Sequence, residues 1–166
     1  MRVAFIGAVK FSGETLKTVL SIKEAEVVGL VTRSPAPFSS DYASLAGLSE
    51  EHGLPCLVLD RNDQALVHRW LTGRKPDVVY CFGWSYLLGP EVLKVAPLGV
   101  IGYHPAALPR NRGRHPIIWA LAVGLTETAS TFLFLDEGVD SGDILSQVPV
   151  SIEPDDNATT LYAKLI

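Results

Sequence analysis

Apolar and polar positions alternate along the chain in blocks that are typical of strands joined by helices. Short apolar runs predict five strands in the first two thirds of the sequence: Arg2–Ile6, Val27–Thr32, Cys56–Leu59, Asp77–Phe82 and Gly99–Tyr103. Apolar residues at helical spacing predict three intervening helices: one containing Leu16, Val19 and Leu20, one with Tyr42, Leu45 and Leu48 on one side that ends near Gly53, and one containing Leu66–Leu71. These repeated units predict an α/β fold, with a doubly wound, Rossmann-like, mostly parallel sheet and helices on both faces.

The pattern changes in the last third of the chain. A helix is predicted over His115–Val123, because Pro116 suits a first helical turn and Gly124 suits a helix end. The apolar runs Thr128–Leu135 and Ile144–Ile152 are long enough to pair with each other. They predict an antiparallel edge to the sheet.

The final residues predict one more helix. Asp155 or Asp156 is expected to cap a helix that begins near Ala158. The helical pattern reaches Ile166 without a stop signal. We therefore expect residues 1–166 to be one domain that is cut within its last helix.

Composition narrows the class of protein. With 48% hydrophobic and 19% charged residues, the chain is not of the disordered class, and it holds no apolar stretch near the ~20 residues of a membrane span. Lys and Arg number 14 against 18 Asp and Glu, which argues against a domain that grips a long nucleic acid. Cys56 and Cys81 lie in apolar segments, which predicts buried, reduced thiols and no zinc site. We expect a cytoplasmic protein without a metal or membrane partner.

The turn after the first strand does not favour a dinucleotide. That kind of site needs closely spaced glycines in this turn and an acidic residue after the second strand. Gly7 and Gly13 are too far apart, and Thr32-Arg33 follows the second strand, before a polar loop over Arg33–Ser40.

Two segments are candidates for chemistry. The strand within Gly99–Gly113 delivers His104 to the carboxyl end of the predicted sheet, where α/β folds place ligand crevices; a structural histidine is the alternative. The segment Asp136–Asp143 holds four carboxylates and two glycines between two strands. It is either a solvated acidic hairpin, a calcium-like loop that lacks the EF-hand spacing, or a loop that presents Asp140 as a general base.

The order of these motifs resembles one enzyme family. The chain reads His104-Pro105, Leu108-Pro109 and Arg112-Gly113, then Pro116-Ile117 and Trp119-Ala120, then Asp136, Gly138, Asp140-Ser141-Gly142-Asp143 and Pro154-Asp155-Asp156. This pattern resembles the 10-formyltetrahydrofolate-dependent formyltransferases, which include the catalytic domains of methionyl-tRNA formyltransferase and the sugar N-formyltransferases. The resemblance covers essentially the whole chain and implies the formyltransferase fold.

The resemblance implies catalytic roles for three positions. His104 and Asp140 match the family's histidine and aspartate, so we expect His104 to stabilise the oxyanion and Asp140 to hold His104 or relay a proton through water. The family's asparagine position is Gly102, which has no side-chain donor. Removal of one oxyanion donor costs about 10²–10³ in rate in other enzymes. A substitute donor, a different reaction, or a retained fold with little catalysis are the three outcomes left open.

The resemblance also implies binding residues, with 10-formyltetrahydrofolate as co-substrate. A loop after the fourth strand would line the folate pocket, or alternatively plug an edge of the core: Phe82, Gly83, Trp84, Ser85, Tyr86 and Leu87. The opposite wall would be formed by Asp136, Glu137, Gly138 and Val139. Separately, Arg112 and Arg114 lie with Gly113 just before a predicted helix start, which favours an anion site for the substrate; a solvated basic loop is the alternative, and the family pattern at Arg112-Gly113 also fits a structural role.

The acceptor is expected to be a small amine. An amino sugar linked to a nucleotide fits best, because the chain lacks basic surface for tRNA and matches the sugar enzymes at Arg112–Arg114. The alternatives are a folate- or nucleotide-binding module with weak or altered activity, a methionyl-tRNA formyltransferase whose C-terminal domain is not recorded, and a hydrolase that releases formate. The sequence leaves a homodimer open.

Overall fold

The computed structural model of the protein describes residues 1–35 and 41–166. Part of the predicted loop Arg33–Ser40, residues 36–40, therefore lies outside the described residues. The chain divides into two compact units, Met1–Ile101 (unit 1) and Gly102–Ile166 (unit 2). Its elements are β1 (Arg2–Ile6), α1 (Lys10–Leu20), β2 (Glu26–Arg33), α2 (Ala46–His52), β3 (Cys56–Leu59), α3 (Gln64–Arg74), β4 (Val78–Cys81), α4 (Pro90–Leu93), β5 (Val100–His104), α5 (Pro116–Ala122), β6 (Glu127–Phe134), β7 (Ile144–Ser151) and α6 (Ala158–Leu165).

The strands of the described chain form a seven-stranded sheet in the order β3-β2-β1-β4-β5-β6-β7. Strands β1 to β4 pair in parallel, and β6 pairs antiparallel with β7. This confirms the predicted α/β fold with an antiparallel edge. Each predicted strand is found, with its ends within two residues of the prediction.

Unit 1 is doubly wound because its strand order reverses at β1. Strands β2 and β3 lie on one side of β1 and β4 lies on the other. Right-handed crossovers then place α1 and α2 on one face and α3 on the opposite face. On β2, Gly29 makes room for α3, since a Cβ atom there would lie 2.8 Å from Cζ3 of Trp70. The carboxyl ends of β1 and β4 form the switch point, where such sheets open a ligand crevice.

The core of unit 1 is apolar on both faces of β1. Val3, Ala4, Phe5 and Ile6 have no exposed surface, as expected for a central parallel strand. Both cysteines are free thiols, and burial raises the pKa of Cys81 to about 12, so this thiol stays protonated.

The turn after β1 is closed by Ser12. The Ser12 hydroxyl donates to the carbonyl of Phe82 and accepts from the N–H of Val9 at 3.2 Å. Gly7 is required beside it, because a Cβ atom would lie 2.6 Å from the same Phe82 oxygen. A serine side chain therefore fills the turn in which a dinucleotide fold holds its phosphates.

Two helices of unit 1 differ from the prediction. Helix α2 begins at Ala46, so Tyr42 precedes it: Tyr42 forms a bridge with Val9, and its hydroxyl donates to Arg33 O at 2.8 Å. These contacts hold the segment extended, against its helical spacing. The short helix α4, with Pro90 in its first turn, was not predicted.

Unit 2 is built on the β6–β7 hairpin. Thr131 pairs with Gln147 in its register, and an irregularity falls between Phe132 and Leu133. Helix α5 confirms the prediction, and Gly124 after it has φ +69°. A small core joins Ala120, Ile152, Leu161 and Leu165. No helix in the described part of the chain is long and apolar enough to cross a membrane.

The cap predicted for α6 is wrong by one residue. Asn157 is the N-cap, and its side-chain oxygen accepts from the N–H groups of Thr159 at 2.9 Å and Thr160 at 3.2 Å. Asp156 instead accepts from Glu153 N, the Thr160 hydroxyl and the Lys164 ammonium. That residues 1–166 are one domain cut within its last helix stays a prediction.

Candidate active site

His104 ends β5 and lies in the interior of unit 2, only 6% exposed. Its Nε2 lies 2.9 Å from the backbone oxygen of Asn111, and its Nδ1 lies 3.5 Å from Oδ2 of Asp140. Both ring nitrogens are therefore held by groups of unit 2. The structure thus brings together the two residues assigned to catalysis by resemblance.

Asp140 is held in a strained backbone conformation. Its φ is +48°, which non-glycine residues adopt at a cost in conformational energy. Its Oδ2 atom also accepts a hydrogen bond from the N–H of Gly113 at 2.8 Å. The same carboxylate oxygen thus links β5 to the loop before α5.

The loop Asp136–Asp143 is internally cross-linked. The Asp136 carboxylate accepts from Gly138 N at 3.0 Å and from the Ser141 hydroxyl at 2.7 Å. At its base, Phe134 N donates to Asp143 O at 2.8 Å. The loop is therefore a structured support for Asp140, beyond a solvated acidic hairpin.

Each contact of His104 requires a proton on the ring nitrogen that makes it. A carbonyl oxygen only accepts, so Nε2 must carry a proton in order to bond to Asn111. A proton on Nδ1 as well would face the Asp140 carboxylate. A ring protonated on both nitrogens would satisfy both neighbours, whereas either neutral tautomer would direct one nitrogen lone pair at an acceptor oxygen.

Gly102 lies on β5 two residues before His104, so a side chain there would point to the same face of the strand. Leu135 fills that space. A Cβ atom on residue 102 would lie 2.8 Å from Cγ of Leu135 and closer still to one of its methyl groups. Sequence reasoning did not identify Leu135, because no local pattern relates it to a glycine 33 positions earlier.

The loop predicted to bind folate divides into buried and exposed residues. Phe82 is buried in unit 1, with ring centroids 5.3 Å from both Phe5 and Tyr80. Leu87 is 63% exposed. Gly83 has φ +66° and could not carry a side chain without meeting Val9. Ser85 is exposed as well.

Trp84 and Tyr86 of this loop line a cavity of about 200 Å³ in unit 1. Their rings lie 5.9 Å apart, edge to face. The indole Nε1 of Trp84 is buried and has no hydrogen-bond partner among the residues that the structure describes. Three charged side chains also line the cavity: Arg33 and Arg61, which are cationic, and Asp60, whose carboxylate accepts from the Ser34 hydroxyl at 2.6 Å. The other predicted wall, Asp136 to Val139, lies in unit 2, and each of its four residues is exposed.

Arg112 and Arg114 line a groove of about 480 Å³ in unit 2, whereas Gly113 acts through its bond to Asp140. The other described lining residues are Asn111, His115, Pro116, Trp119 and Val123. None of these described residues carries a carboxylate. Trp119 is 60% exposed, which is unusual for a large aromatic side chain, and its part in the groove was missed from sequence.

Among residues 1–35 and 41–166, no three His, Cys, Asp or Glu side chains are grouped as a metal site would need.

Comparison with known proteins identifies the family of the chain. The sequence model of the family described as "Formyl transferase" matches residues 1–166. A methionyl-tRNA formyltransferase of Geotalea daltonii is 32% identical over 169 residues, and one of Ehrlichia ruminantium (strain Welgevonden) is 33% identical. Each match covers 99% of this chain but only 54% and 56% of the relative, so the chain spans about half the length of these relatives.

A solved structure shares the fold along almost the whole chain. It is a phosphoribosylglycinamide formyltransferase from Bacillus halodurans, with a TM-score of 0.86 and 27% identity. The similarity covers 99% of this chain and 87% of that one. The match of the family model to every residue, supported by this common fold, confirms the resemblance: the chain belongs to the formyl transferase family.

Proposed function

We propose that the protein transfers a formyl group from 10-formyltetrahydrofolate to a primary amine. The observation that carries this proposal is the buried His104, held between Asp140 and Asn111 in a chain of the formyl transferase family. In the reaction the amine nitrogen attacks the formyl carbon, and the carbonyl oxygen gains negative charge. The bond to the folate nitrogen then breaks, while the ammonium proton is lost and the folate nitrogen is protonated.

We assign to His104 the stabilisation of the negative charge that develops on the formyl oxygen. In the structure Nε2 of His104 lies 2.9 Å from the Asn111 carbonyl oxygen, so a proton on Nε2 would be donated to it. A formyl oxygen that replaced this carbonyl would accept a charge-assisted hydrogen bond from the imidazolium. Asp140 would stabilise that cation through Nδ1 and accept the amine's proton directly or through water.

Gly102 removes one donor from this scheme. With no carboxamide at that position, the Nε2–H group of His104 carries more of the oxyanion stabilisation. A missing donor of this kind costs about 10²–10³ in rate. We therefore expect a slower transfer than in a relative that has the asparagine.

The unit 1 cavity supports a site for part of the folate donor. Trp84 and Tyr86 offer aromatic surface, and the buried Nε1–H of Trp84 offers a donor for a ligand oxygen or nitrogen. Arg33 and Arg61 would suit the carboxylates of a folate tail. We keep Gly83, Ser85 and Leu87 of unit 1 as further donor-binding candidates, and the residues Asp136–Val139 of unit 2 as separate ones. Phe82 packs in the core of unit 1, where it supports the first part of its own loop.

The groove in unit 2 supports an anionic substrate. Arg112 and Arg114 can bind phosphate oxygens, and the exposed indole of Trp119 can stack on a planar ring. A phosphate beside an aromatic base is the chemistry of a nucleotide. We therefore propose a nucleotide-linked amino sugar as the acceptor.

Two other functions are supported by specific observations. Relatives 32–33% identical to the chain are named methionyl-tRNA formyltransferases, which favours that acceptor if further sequence exists. The absence of a side chain at Gly102 favours a binding module with weak activity. Because both cysteines are free thiols, we place the protein in the reducing cytoplasm. A homodimer stays a prediction.

The test is the release of tetrahydrofolate from 10-formyltetrahydrofolate in the presence of different amines. The panel contains nucleotide-linked amino sugars, methionyl-tRNA, glycinamide ribonucleotide and a control without amine. We expect release with an amino sugar nucleotide. Release with methionyl-tRNA alone would replace the substrate proposal, and formate release without amine would indicate a hydrolase. Donor binding without release for any amine would contradict the enzyme proposal.

The groove is tested separately with Arg114→Ala and Trp119→Ala. Each should raise KM for the nucleotide-linked substrate by about 10-fold, the value of one lost charged hydrogen bond or stacking contact of roughly 1.4 kcal/mol. Arg110→Ala is the matched control, because Arg110 is exposed and is not among the described lining residues. An equal rise in KM for Arg110→Ala would show that only general positive charge matters.

A further inference from the structure

Leu135 and Gly102 fit together beside the pair formed by His104 and Asp140. The Leu135 side chain occupies the position in which any side chain on residue 102 would begin, with Cγ only 2.8 Å from that point. Gly102 is buried, and it lies on the face of β5 from which His104 also projects. The space beside Gly102 on this face of β5 is therefore filled by a side chain that follows β6, in place of a side chain on β5 itself.

Leu135 also lies at the point of the chain where β6 meets the loop that carries Asp140. It is the first residue after β6 and precedes the loop Asp136–Asp143, which carries Asp140. The base of this loop is closed by the bond from Phe134 N to Asp143 O. Any shift of Leu135 therefore moves one end of a cross-linked loop.

The conformation of Asp140 depends on the loop around it being held in place. Its backbone is in the left-handed region, which surrounding contacts must impose on a non-glycine residue. Its Oδ2 must stay within reach of both Nδ1 of His104 and the N–H of Gly113. A structured loop with a fixed starting point provides this.

We infer that Leu135 is a positioning residue for formyl transfer: seated in the space that Gly102 leaves free, it holds the loop Asp136–Asp143 so that Asp140 faces Nδ1 of His104. This inference deepens the proposed function, and depends on it only for the activity measurement. A side chain at 102 and a smaller side chain at 135 are expected to have the same effect, because both separate the two halves of one contact.

The test uses the intact protein with ¹⁵N-labelled histidine and no substrate. The signals of His104 are assigned with His104→Ala, and Asp140→Asn gives the signal of a ring that has lost its carboxylate. Leu135→Ala and Gly102→Ala should each move the Nδ1 signal of His104 most of the way to the Asp140→Asn position. Leu125→Ala is the matched control: it truncates a half-buried leucine of the α5–α6 core and should leave the signal at its wild-type position.

Activity and rescue complete the test. Leu135→Ala and Gly102→Ala should lower kcat by about 10- to 100-fold with KM for the donor little changed, as expected for misplacement by about 1 Å. The pair Gly102→Ala with Leu135→Val keeps the number of side-chain carbons, and should recover both the signal and the rate relative to either single change. If Leu135→Ala does not fold, Leu135→Val is read by the same criteria.

The inference is overturned if folded Leu135 and Gly102 variants keep the wild-type signal, or if the double variant shows no recovery. If the wild-type protein transfers no formyl group, the proposed function fails, yet the nitrogen signals still decide the role of Leu135.

Discussion

Residues with a positive φ angle are distributed differently in the two units. In the described part of unit 1 they are glycines at turns and Lys75, which ends α3. In unit 2 they also include Asn111, His115 and Asp140, all of which contact His104 or line the groove. Strain carried by side-chain-bearing residues is thus concentrated where we place the chemistry.

The interiors differ in the same way. Both units bury hydroxyl groups among their described residues: those of Ser12, Thr32 and Ser49 in unit 1, and those of Thr128 and Thr131 in unit 2. Unit 2 buries an imidazole, His104, beside a carboxylate. We therefore expect apolar packing to dominate the stability of unit 1, whereas unit 2 combines an apolar core with the buried polar contacts of the proposed site.

The largest effect is expected from Asp140→Asn. The amide still accepts from Gly113 N but removes the charge opposite His104, so kcat should fall by about 10²–10⁴ with little loss of stability. Initial rates of tetrahydrofolate release measure it. Asp143→Asn, in the same loop but exposed, should stay close to wild type. If kcat of Asp140→Asn equals that of the wild type, the catalytic role that we assign to the buried pair of unit 2 is contradicted.

Packing in unit 1 is tested with Leu71→Ala. Leu71 is fully buried on α3, so its truncation should lower the free energy of unfolding by about 2–5 kcal/mol. Urea unfolding followed by circular dichroism measures the loss. Leu145→Ala on β7 is the exposed control in unit 2; Leu145 is 52% exposed, and its truncation should change stability by less than about 0.5 kcal/mol. Similar losses at both positions would contradict the comparison.

A smaller effect is expected for the cap of α6. Asn157→Ala removes the acceptor for two backbone N–H groups and should cost about 0.5–2 kcal/mol. Thermal unfolding measures the change, and Asn157→Asp, which keeps an acceptor oxygen, should retain most of the stability. A loss as large as that of Leu71→Ala would mean that polar contacts stabilise unit 2 as strongly as packing stabilises unit 1.

The smallest expected effect is the pH dependence of stability that arises from the carboxyl group of Asp156. Hydrogen bonds from Lys164, from Glu153 N and from Thr160 lower the pKa of its carboxyl from 3.8 to about 2. A lowered carboxyl pKa stabilises the fold at pH values above about 4, and this contribution is lost as the pH falls toward 2. Lys164→Met should raise the pKa of Asp156 toward its ordinary value, as followed by carboxyl ¹³C shifts. Lys17→Met, which breaks the exposed pair with Glu14 in unit 1, should leave the Asp156 titration unchanged.

Local patterns predicted most of the fold. The parallel strands were found because their apolar runs, such as Val78–Cys81, reflect burial on both faces. The start of α2 was not predicted correctly, because Tyr42 is held in an extended conformation by contacts with Val9 and Arg33. Such contacts join residues far apart in sequence and outweigh helical spacing.

The site was predicted through family resemblance, and its geometry was not. His104 and Asp140 could be matched to a motif, but the strained backbone of Asp140 and its bond to Gly113 appear only in three dimensions. Leu135 was expected to be an ordinary strand residue at the end of Thr128–Leu135. Its role depends on a missing Cβ atom on another strand, for which a single sequence carries no signal.

Strand β7 is the last strand of the described sheet. The side of β7 that faces away from β6 therefore has no described strand beside it. Ile152 N donates to Thr126 O across the hairpin, and by alternation the nitrogen of Pro149 points to the open side. Proline has no N–H group, so it costs the hairpin nothing there and deprives the open edge of a donor. Although Ile144, Leu145 and Val148 are exposed on this strand, Pro149 discourages the edge-to-edge stacking of copies through which such strands aggregate.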